Sequence, residues 1–267
     1  MDKSTLGNRM KKYENSFNFV FPPRIPLMLR LDGVHFSKNV KRWQSKKPFD
    51  ERLTYAMQMT SKGLAEEIAG TCLVYSQSDE ITMLIRDDMT HDTQPWHGKE
   101  MNKILSVTAA KATKLFNYYF FEPQFCDSYP KYTHLAEFDC RAYLLPEQEI
   151  INAFMWRQRD CTKNSVQMLY RSVCSHNSAK NKNGSELQDI LMLEHNINWN
   201  DCATAFKRGF TVYKKDMMKD VPKRDENNQI IKGETTLISR PAWYVDLETP
   251  IFTKDPNFIN RFTKVCD

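Results

Sequence analysis

The chain has 267 residues, with 38 Lys+Arg against 33 Asp+Glu, a formal net charge of +5 and 41% hydrophobic residues. That length supports one large domain or two small ones with a sizeable core, and the mild basic excess favours a polyanionic partner. With no long apolar run a transmembrane span is excluded, and the 8 glycines exclude two common nucleotide cradles. None is spaced as in GxGxxG, and Gly98-Lys99 is followed by Glu100 rather than by the hydroxyl residue of a P-loop.

Pro22-Pro23-Arg24-Ile25-Pro26 punctuates entry into Leu27–Asp32, whose apolar character suits a buried strand. Residues 36–47 read as a basic loop carrying Lys38, Lys41, Arg42, Lys46 and Lys47. Asp50 is placed to cap a helix with Leu53, Met57, Leu64 and Ile68 at helical spacing, ending near Gly70. Cys72–Ser76 and Ile81–Arg86 follow as strands joined by the polar turn Gln77-Ser78-Asp79-Glu80. A second helix is expected over 99–121, with Ile104, Ala112 and Leu115 inward, and then a strand over 135–145. The order strand, helix, hairpin, helix, strand is the split-βαβ, ferredoxin-like arrangement: an antiparallel sheet with helices on one face.

From Glu147 a helical pattern runs to about Ala179, a polar loop covers 180–185, and 186–195 is helical again. The segment 207–240 holds nine Lys/Arg against five Asp/Glu and reads as loop-rich. The expectation is therefore an α+β chain, with a catalytic region over 1–145. A helical, loop-rich region over 146–267 packs on it as one continuous globular unit. The 7 cysteines, odd in number and without CxxC spacing, read as reduced thiols rather than a disulfide framework or zinc site. The first residues lack the apolar core of a secretory signal and match a mitochondrial presequence only weakly. Cytoplasm is expected, with the mitochondrion as the alternative.

Asp32 ends the first strand and Asp79 sits in the hairpin turn, so the topology can bring both carboxylates to one sheet edge, with Glu80 following. Carboxylates at an open edge suit Mg²⁺, which takes oxygen ligands and completes its shell from water and phosphate. Two such ions can activate a hydroxyl and stabilise a leaving oxygen in nucleotidyl transfer. Taken alone, Asp79 is equally a turn residue whose side chain satisfies turn amides.

The surrounding residues resemble the tRNA-His guanylyltransferase superfamily of 3′-to-5′ polymerases. The carriers are Arg30-Leu31-Asp32-Gly33-Val34-His35-Phe36-Ser37, Lys47-Pro48-Phe49-Asp50, Tyr75-Ser76-Gln77-Ser78-Asp79-Glu80 and Lys103-Ile104-Leu105-Ser106. Phe138-Asp139-Cys140-Arg141, Trp156-Arg157-Gln158-Arg159-Asp160, Asn196-Ile197-Asn198-Trp199-Asn200 and Lys207-Arg208-Gly209 follow in the same order, covering roughly residues 10–215. The resemblance implies a palm-like sheet on which Asp32, the Gly33 carbonyl and Asp79 hold two Mg²⁺, with Glu80 supporting. It implies that Gly33, Val34, His35, Phe36 and Ser37 wrap a nucleoside triphosphate and that Lys47 and Ser78 assist the substrate end. Asp50 would lie near the bound base, Lys103 and Arg141 would meet phosphates, and Asn164 would fall near the second nucleotide or RNA end. ATP and GTP or other NTPs would be substrates, tRNA the partner, and a homotetramer the assembly.

Three departures bear on the triphosphate site: Val34 replaces the usual Arg, Glu100 stands where Arg is common, and Leu187 where Lys is common. After the Trp-Arg-Gln-x-Asp motif, Thr162-Lys163-Asn164-Ser165-Val166-Gln167-Met168 keeps only the first Asn of the run found in enzymes dedicated to tRNA-His. The chain thus resembles the guanylyltransferase-like branch that repairs or edits 5′-truncated tRNA. Residues 155–184 hold six Lys/Arg against one acid, Asp160. Arg157, Arg159, Lys163 and Arg171, with Lys207 and Arg208, are therefore the candidate RNA contacts. Trp43, Trp156 and Tyr170 could stack on splayed bases, although core packing is the expectation for Trp156. A palm-fold nucleotide cyclase and a non-catalytic tRNA-binding protein are the rival functions.

Overall fold

The computed structural model describes residues 5–90, 92–125, 134–224 and 229–263. In chain order the elements are α1 (Thr5–Glu14), β1 (Leu27–Gly33), α2 (Phe36–Arg42), α3 (Glu51–Glu67), β2 (Thr71–Gln77) and β3 (Glu80–Ile85). Next come α4 (Met101–Phe120), β4 (Phe138–Leu144), α5 (Glu147–Val173), α6 (Gly184–His195) and α7 (Thr204–Arg208). The chain ends with β5 (Phe210–Arg224), β6 (Ile230–Asp246) and α8 (Asn257–Thr263).

The strands form a six-stranded antiparallel sheet in the order β4-β1-β3-β2-β5-β6. Its first four positions are the expected split-βαβ order. Strand alternation divides the side chains between two cores. Leu29, Leu31, Val74, Ile81 and Met83 face α3 and α4, meeting Leu64, Ile104 and Phe116. Met28, Leu73, Tyr75 and Leu84 face the other way, against Ile150 and Phe154 of α5 and Phe258 and Ile259 of α8. Each such fully buried side chain contributes roughly 1.5–3 kcal/mol. The second layer is incomplete: in β1, Leu27, Met28 and Leu29 are buried, but Arg30 and Asp32 are only half-buried. The sheet is thus sandwiched at one end and open on one face at the other.

Asp50 starts α3 as expected, its Oδ1 accepting the Leu53 N–H at 3.0 Å. Two expectations fail. Residues 36–47 are not simply a loop, because 36–42 form the short helix α2, anchored by the buried Phe36. The loop-rich reading of 207–240 is also wrong, since this segment is a long hairpin of β5 and β6. Only Phe210–Tyr213 pair with β2, while β5 and β6 pair with each other as far as Arg224 and Ile230, with a register shift after Pro222. A ribbon with solvent on both sides needs no apolar face, so its sequence carries no period-2 hydrophobic signal. Cys126 and Cys266 lie outside the described residues, and Cys72, Cys140, Cys161, Cys174 and Cys202 are free thiols.

Candidate active site

Register builds the site. Asp32 in β1 stands directly opposite Glu80 of β3 on one side and Asp139 of β4 on the other. Directly paired residues share a face, so the three carboxylates project on the open α5 side of the sheet. The two-residue turn Ser78-Asp79 joins β2 to β3, with Ser78 in the left-handed region at φ 49°. Ser78 Oγ donates to Asp79 Oδ1 at 3.0 Å. The Gly33 N–H donates to the Asp79 carbonyl at 3.1 Å, fastening the end of β1 to that turn. Gly33 is required for space: a Cβ there would lie 2.1 Å from the Phe36 ring. That ring is in turn packed on Trp43, Phe116 and Phe138.

Burial raises the Asp79 carboxyl above its ordinary range; the Ser78 hydroxyl opposes the shift and the Asp32 charge adds to it. Glu80 is likewise raised, chiefly by burial, against the pull of Arg157 and Arg30. Asp139 Oδ1 is enclosed and accepts no hydrogen bond, while its Oδ2 lies 3.7 Å from Arg141. Like charges crowded at one edge, with an orphaned acceptor among them, are what a divalent cation would relieve. No three acidic, His or Cys side chains converge closely enough, among the described residues, to hold an ion alone. The available donors therefore fit Mg²⁺, which accepts a main-chain carbonyl, water and substrate phosphate beside two carboxylates.

Beyond Gly33 the chain turns at His35, which adopts φ 55° and is exposed, into α2. The Val34 N–H is taken by the Glu137 carbonyl at 2.8 Å. As first residues of a helix, Phe36 and Ser37 have N–H groups with no intrahelical acceptor. Phe36 can meet a ligand through its main-chain amide alone, because its ring is buried, whereas Ser37 is exposed. Lys47 is exposed. Arg141 lies on β4 opposite Arg30, two residues from Asp139 and on the same face, within the site.

Other candidates are placed differently. Asp50 is buried, and its two oxygens take the Leu53 and Lys46 N–H groups, so it caps α3 rather than presenting itself to a base. Lys103 is in the first turn of α4, which starts at the far end of the sheet, where Lys99 bonds Ile25 and Asp87. Within one chain it therefore stands away from Arg141 and the acids. Lys99 itself is buried in that pairing and supplies no free charge in place of Glu100.

Arg157 is not an exposed RNA contact. It shares the inward side of α5 with Phe154 (i−3) and Cys161 (i+4), with Nε 3.1 Å from Glu80 Oε1 and Nη2 2.5 Å from Asp160 Oδ2. Lys207 is likewise buried, its ammonium donating to the Asn200 carbonyl and lying over the Trp199 ring. Arg208 is half-buried, and its carbonyl accepts the Tyr75 hydroxyl at 2.7 Å. Arg159, Lys163, Asn164 and Arg171 are exposed on α5. Core packing fits Tyr170 but fails for Trp156, which is 55% exposed.

Asp139 was not among the expected site residues. Its signal was the alternation in Phe138-Asp139-Cys140-Arg141, where apolar neighbours inside force the acid to the outer face.

A family model described as tRNAHis guanylyltransferase matches residues 7–146. The structure of a bacterial tRNAHis guanylyltransferase-like protein in complex with ATP superposes with a TM-score of 0.82 at 38% identity, covering 98% of this chain and 100% of that one. A bacterial protein of the same description in complex with GTP gives 0.77 at 37% identity, covering 97% and 99%. The tRNA(His) guanylyltransferase of Debaryomyces hansenii is 27% identical over 212 residues, covering 75% of this chain and 77% of its own length.

Proposed function

Since the chain belongs to the tRNAHis guanylyltransferase family, we propose that it is a nucleotidyltransferase extending the 5′ end of tRNA in the 3′-to-5′ direction. The observation that carries this reading is the apposition of Asp32, Glu80 and the Asp79 turn at the open end of the sheet. ATP and GTP, bound in the two similar bacterial structures, are its substrates. Templated repair of 5′-truncated tRNA is the favoured task over guanosine addition to tRNA-His, because residues 162–168 keep only one Asn of the run that marks the latter enzymes.

The reaction proceeds in two displacements. The RNA 5′-phosphate attacks the α-phosphorus of ATP, giving an adenylylated end and pyrophosphate. The 3′-hydroxyl of the incoming NTP then attacks the 5′-phosphorus of that end, forming the new phosphodiester and expelling AMP. Mg²⁺, held by Asp32, Asp79 and the Gly33 carbonyl, would polarise the attacked phosphorus and stabilise the attacking and leaving oxygens. The chain's own residues supply position. Phe36 and Ser37 offer amides to a phosphate, Arg141 adds a guanidinium on the same face, and Ser78 orients the Asp79 carboxylate. Holding the reactants in line is itself a large part of such catalysis.

The assembly is proposed as a homotetramer by family resemblance. The location is proposed as cytoplasm, which free thiols suit, with the mitochondrion as the alternative. The test is NTP incorporation into tRNA lacking its first 5′ nucleotide, with ATP and Mg²⁺. Asp79→Ala is expected to lose at least about 100-fold in rate, as when a transition-state charge partner is removed. A wild-type protein that incorporates nothing, or an undiminished variant, would overturn the assignment.

A further inference from the structure

Away from the acids, the far ends of α5 and α6 meet at a cysteine and a histidine. Cys174 follows the last turn of α5, its N–H donating to the Tyr170 carbonyl at 2.8 Å. His195 closes α6, and its Nε2 lies 3.1 Å from Cys174 Sγ. The thiol is half-buried and the imidazole exposed. Along α5 the thiol stands about 25 Å from Arg157. Burial pushes the thiols of Cys72, Cys140, Cys161 and Cys202 up. Cys174, alone among the described thiols, contacts an imidazole. The pairing of a thiol with a base in hydrogen-bond reach is what makes a cysteine nucleophilic. The last carbonyls of α6, beside His195, favour positive charge.

Two exposed cations flank the pair. Arg171 precedes Cys174 by one turn, its guanidinium resting on Gln167 Oε1 at 3.0 Å. The Lys182 ammonium donates to the Ser178 carbonyl at 2.7 Å, and Ser178 Oγ donates to the carbonyl of Ser175, the residue after the thiol. Both cations hold neutral acceptors, which a carboxylate outcompetes.

We propose that Cys174, with His195 as its base, is a thiol–disulfide exchange site for a small disulfide bearing carboxylates, of the glutathione type. The thiol passes its proton to His195 Nε2, and the sulfur attacks one sulfur of the disulfide. A disulfide between Cys174 and glutathione forms as the original S–S bond breaks. The second glutathione leaves and takes the proton back from the imidazolium. The Cys174 sulfur is oxidised and the departing sulfur reduced, so the exchange needs no further co-reactant. Arg171 and Lys182 receive the carboxylates of the attached tripeptide. Cys174 packs on the cluster that includes Leu169, Leu187 and Leu191, so the adduct replaces the contact tying the ends of α5 and α6 together. The site is independent of the chemistry at Asp32 and Asp79.

The test is incubation of the full-length protein with glutathione disulfide at neutral pH. Remaining thiols are then capped in denaturant, and mass spectrometry reads the adduct at each cysteine. Cys174 is expected to gain glutathione before Cys72, Cys140, Cys161 and Cys202, and to lose it to dithiothreitol. A free thiol is only a few per cent thiolate at pH 7, so His195→Ala should slow the exchange roughly ten-fold. His195→Gln keeps the bulk but cannot take the proton, and it should be equally slow; recovery in that variant would mean packing alone. Hydroxyethyl disulfide, which has no carboxylates, should react with Cys174 several-fold more slowly, each rate being taken relative to an unstructured cysteine peptide. The double variant Arg171→Ala, Lys182→Ala should abolish that preference. The proposal is overturned if Cys174 reacts no faster than the buried thiols, if either His195 variant exchanges at the wild-type rate, or if the two disulfides react alike.

Discussion

At the scale of single residues, burial sets the chemistry of the thiols. Burial pushes Cys140 and Cys161 up to about 12 and Cys72 up to about 11, against 9.0 for an exposed thiol. Native protein at pH 8 should therefore leave these three unmodified by a maleimide, whereas denatured protein reacts at all of them; mass spectrometry of the labelled chain reads this directly. The sign for stability follows by linkage. The unfolded thiols lose their protons near 9 while the folded ones keep theirs, so their stabilising contribution is complete below about 9. It falls away between 9 and 12, and denaturant midpoints should drop across that alkaline range. The placement of Asp32 and Asp79 was legible because the order of elements put them at a strand end and in a hairpin turn. Asp139 was legible only as an acid on the outer side of a strand, because its place beside Asp32 comes from pairing with a strand more than a hundred residues upstream. The place of Gly33 at the end of β1 was legible, but not its steric requirement, the Phe36 ring beneath it.

At the scale of elements, α5 does two jobs with opposite sides. Its inner side carries Arg157, which meets Glu80 and Asp160 and joins helix to sheet beside the acids. Removing that guanidinium leaves Glu80 with an uncompensated, largely buried charge. Arg157→Ala is expected to destabilise the fold by roughly 3 kcal/mol, measured by urea unfolding at pH 7. Arg157→Lys should recover part of the loss, because one ammonium cannot span both acids. A variant as stable as wild type would show that the pairing contributes nothing net. Sequence periodicity located α5 and the sign of its charge, but it could not separate the buried Arg157 from the exposed Arg159 and Arg171, two and fourteen residues on. The same limit applies to Lys207. Charge in a sequence marks where cations are, and only packing shows which ones reach solvent. The β5–β6 hairpin was missed for the complementary reason. Its outer part has water on both faces and so obeys no hydrophobic alternation.

At the scale of the whole molecule, stability is concentrated where both faces of the sheet are covered. The outer part of β5 and β6 lies beyond the last pair with β2, Leu73 with Tyr213. Replacing residues 217–240 by an Asn-Gly turn should therefore leave the melting temperature within about 5 °C of wild type. Calorimetry showing a larger fall would mean that this ribbon is part of the cooperative unit. Its inner part is another matter, since Trp243 and Val245 pack on the main core. Fold class and the first four strand positions were readable in the order of elements alone. The two strands that complete the sheet were not, because β5 pairs with the distant β2 and β6 joins the sheet only through β5. That distance also bears on biosynthesis. Tyr75 in β2 and its hydrogen-bond partner Arg208 are 133 positions apart. At 5–20 residues per second a ribosome would need roughly 7–27 s to deliver the strand that follows Arg208. Throughout that interval the nascent β2 edge, with Leu73, Val74 and Tyr75, has unpaired backbone groups open to another chain. A trigger for co-translational aggregation, or for chaperone engagement, is thus built into the order in which this sheet is made.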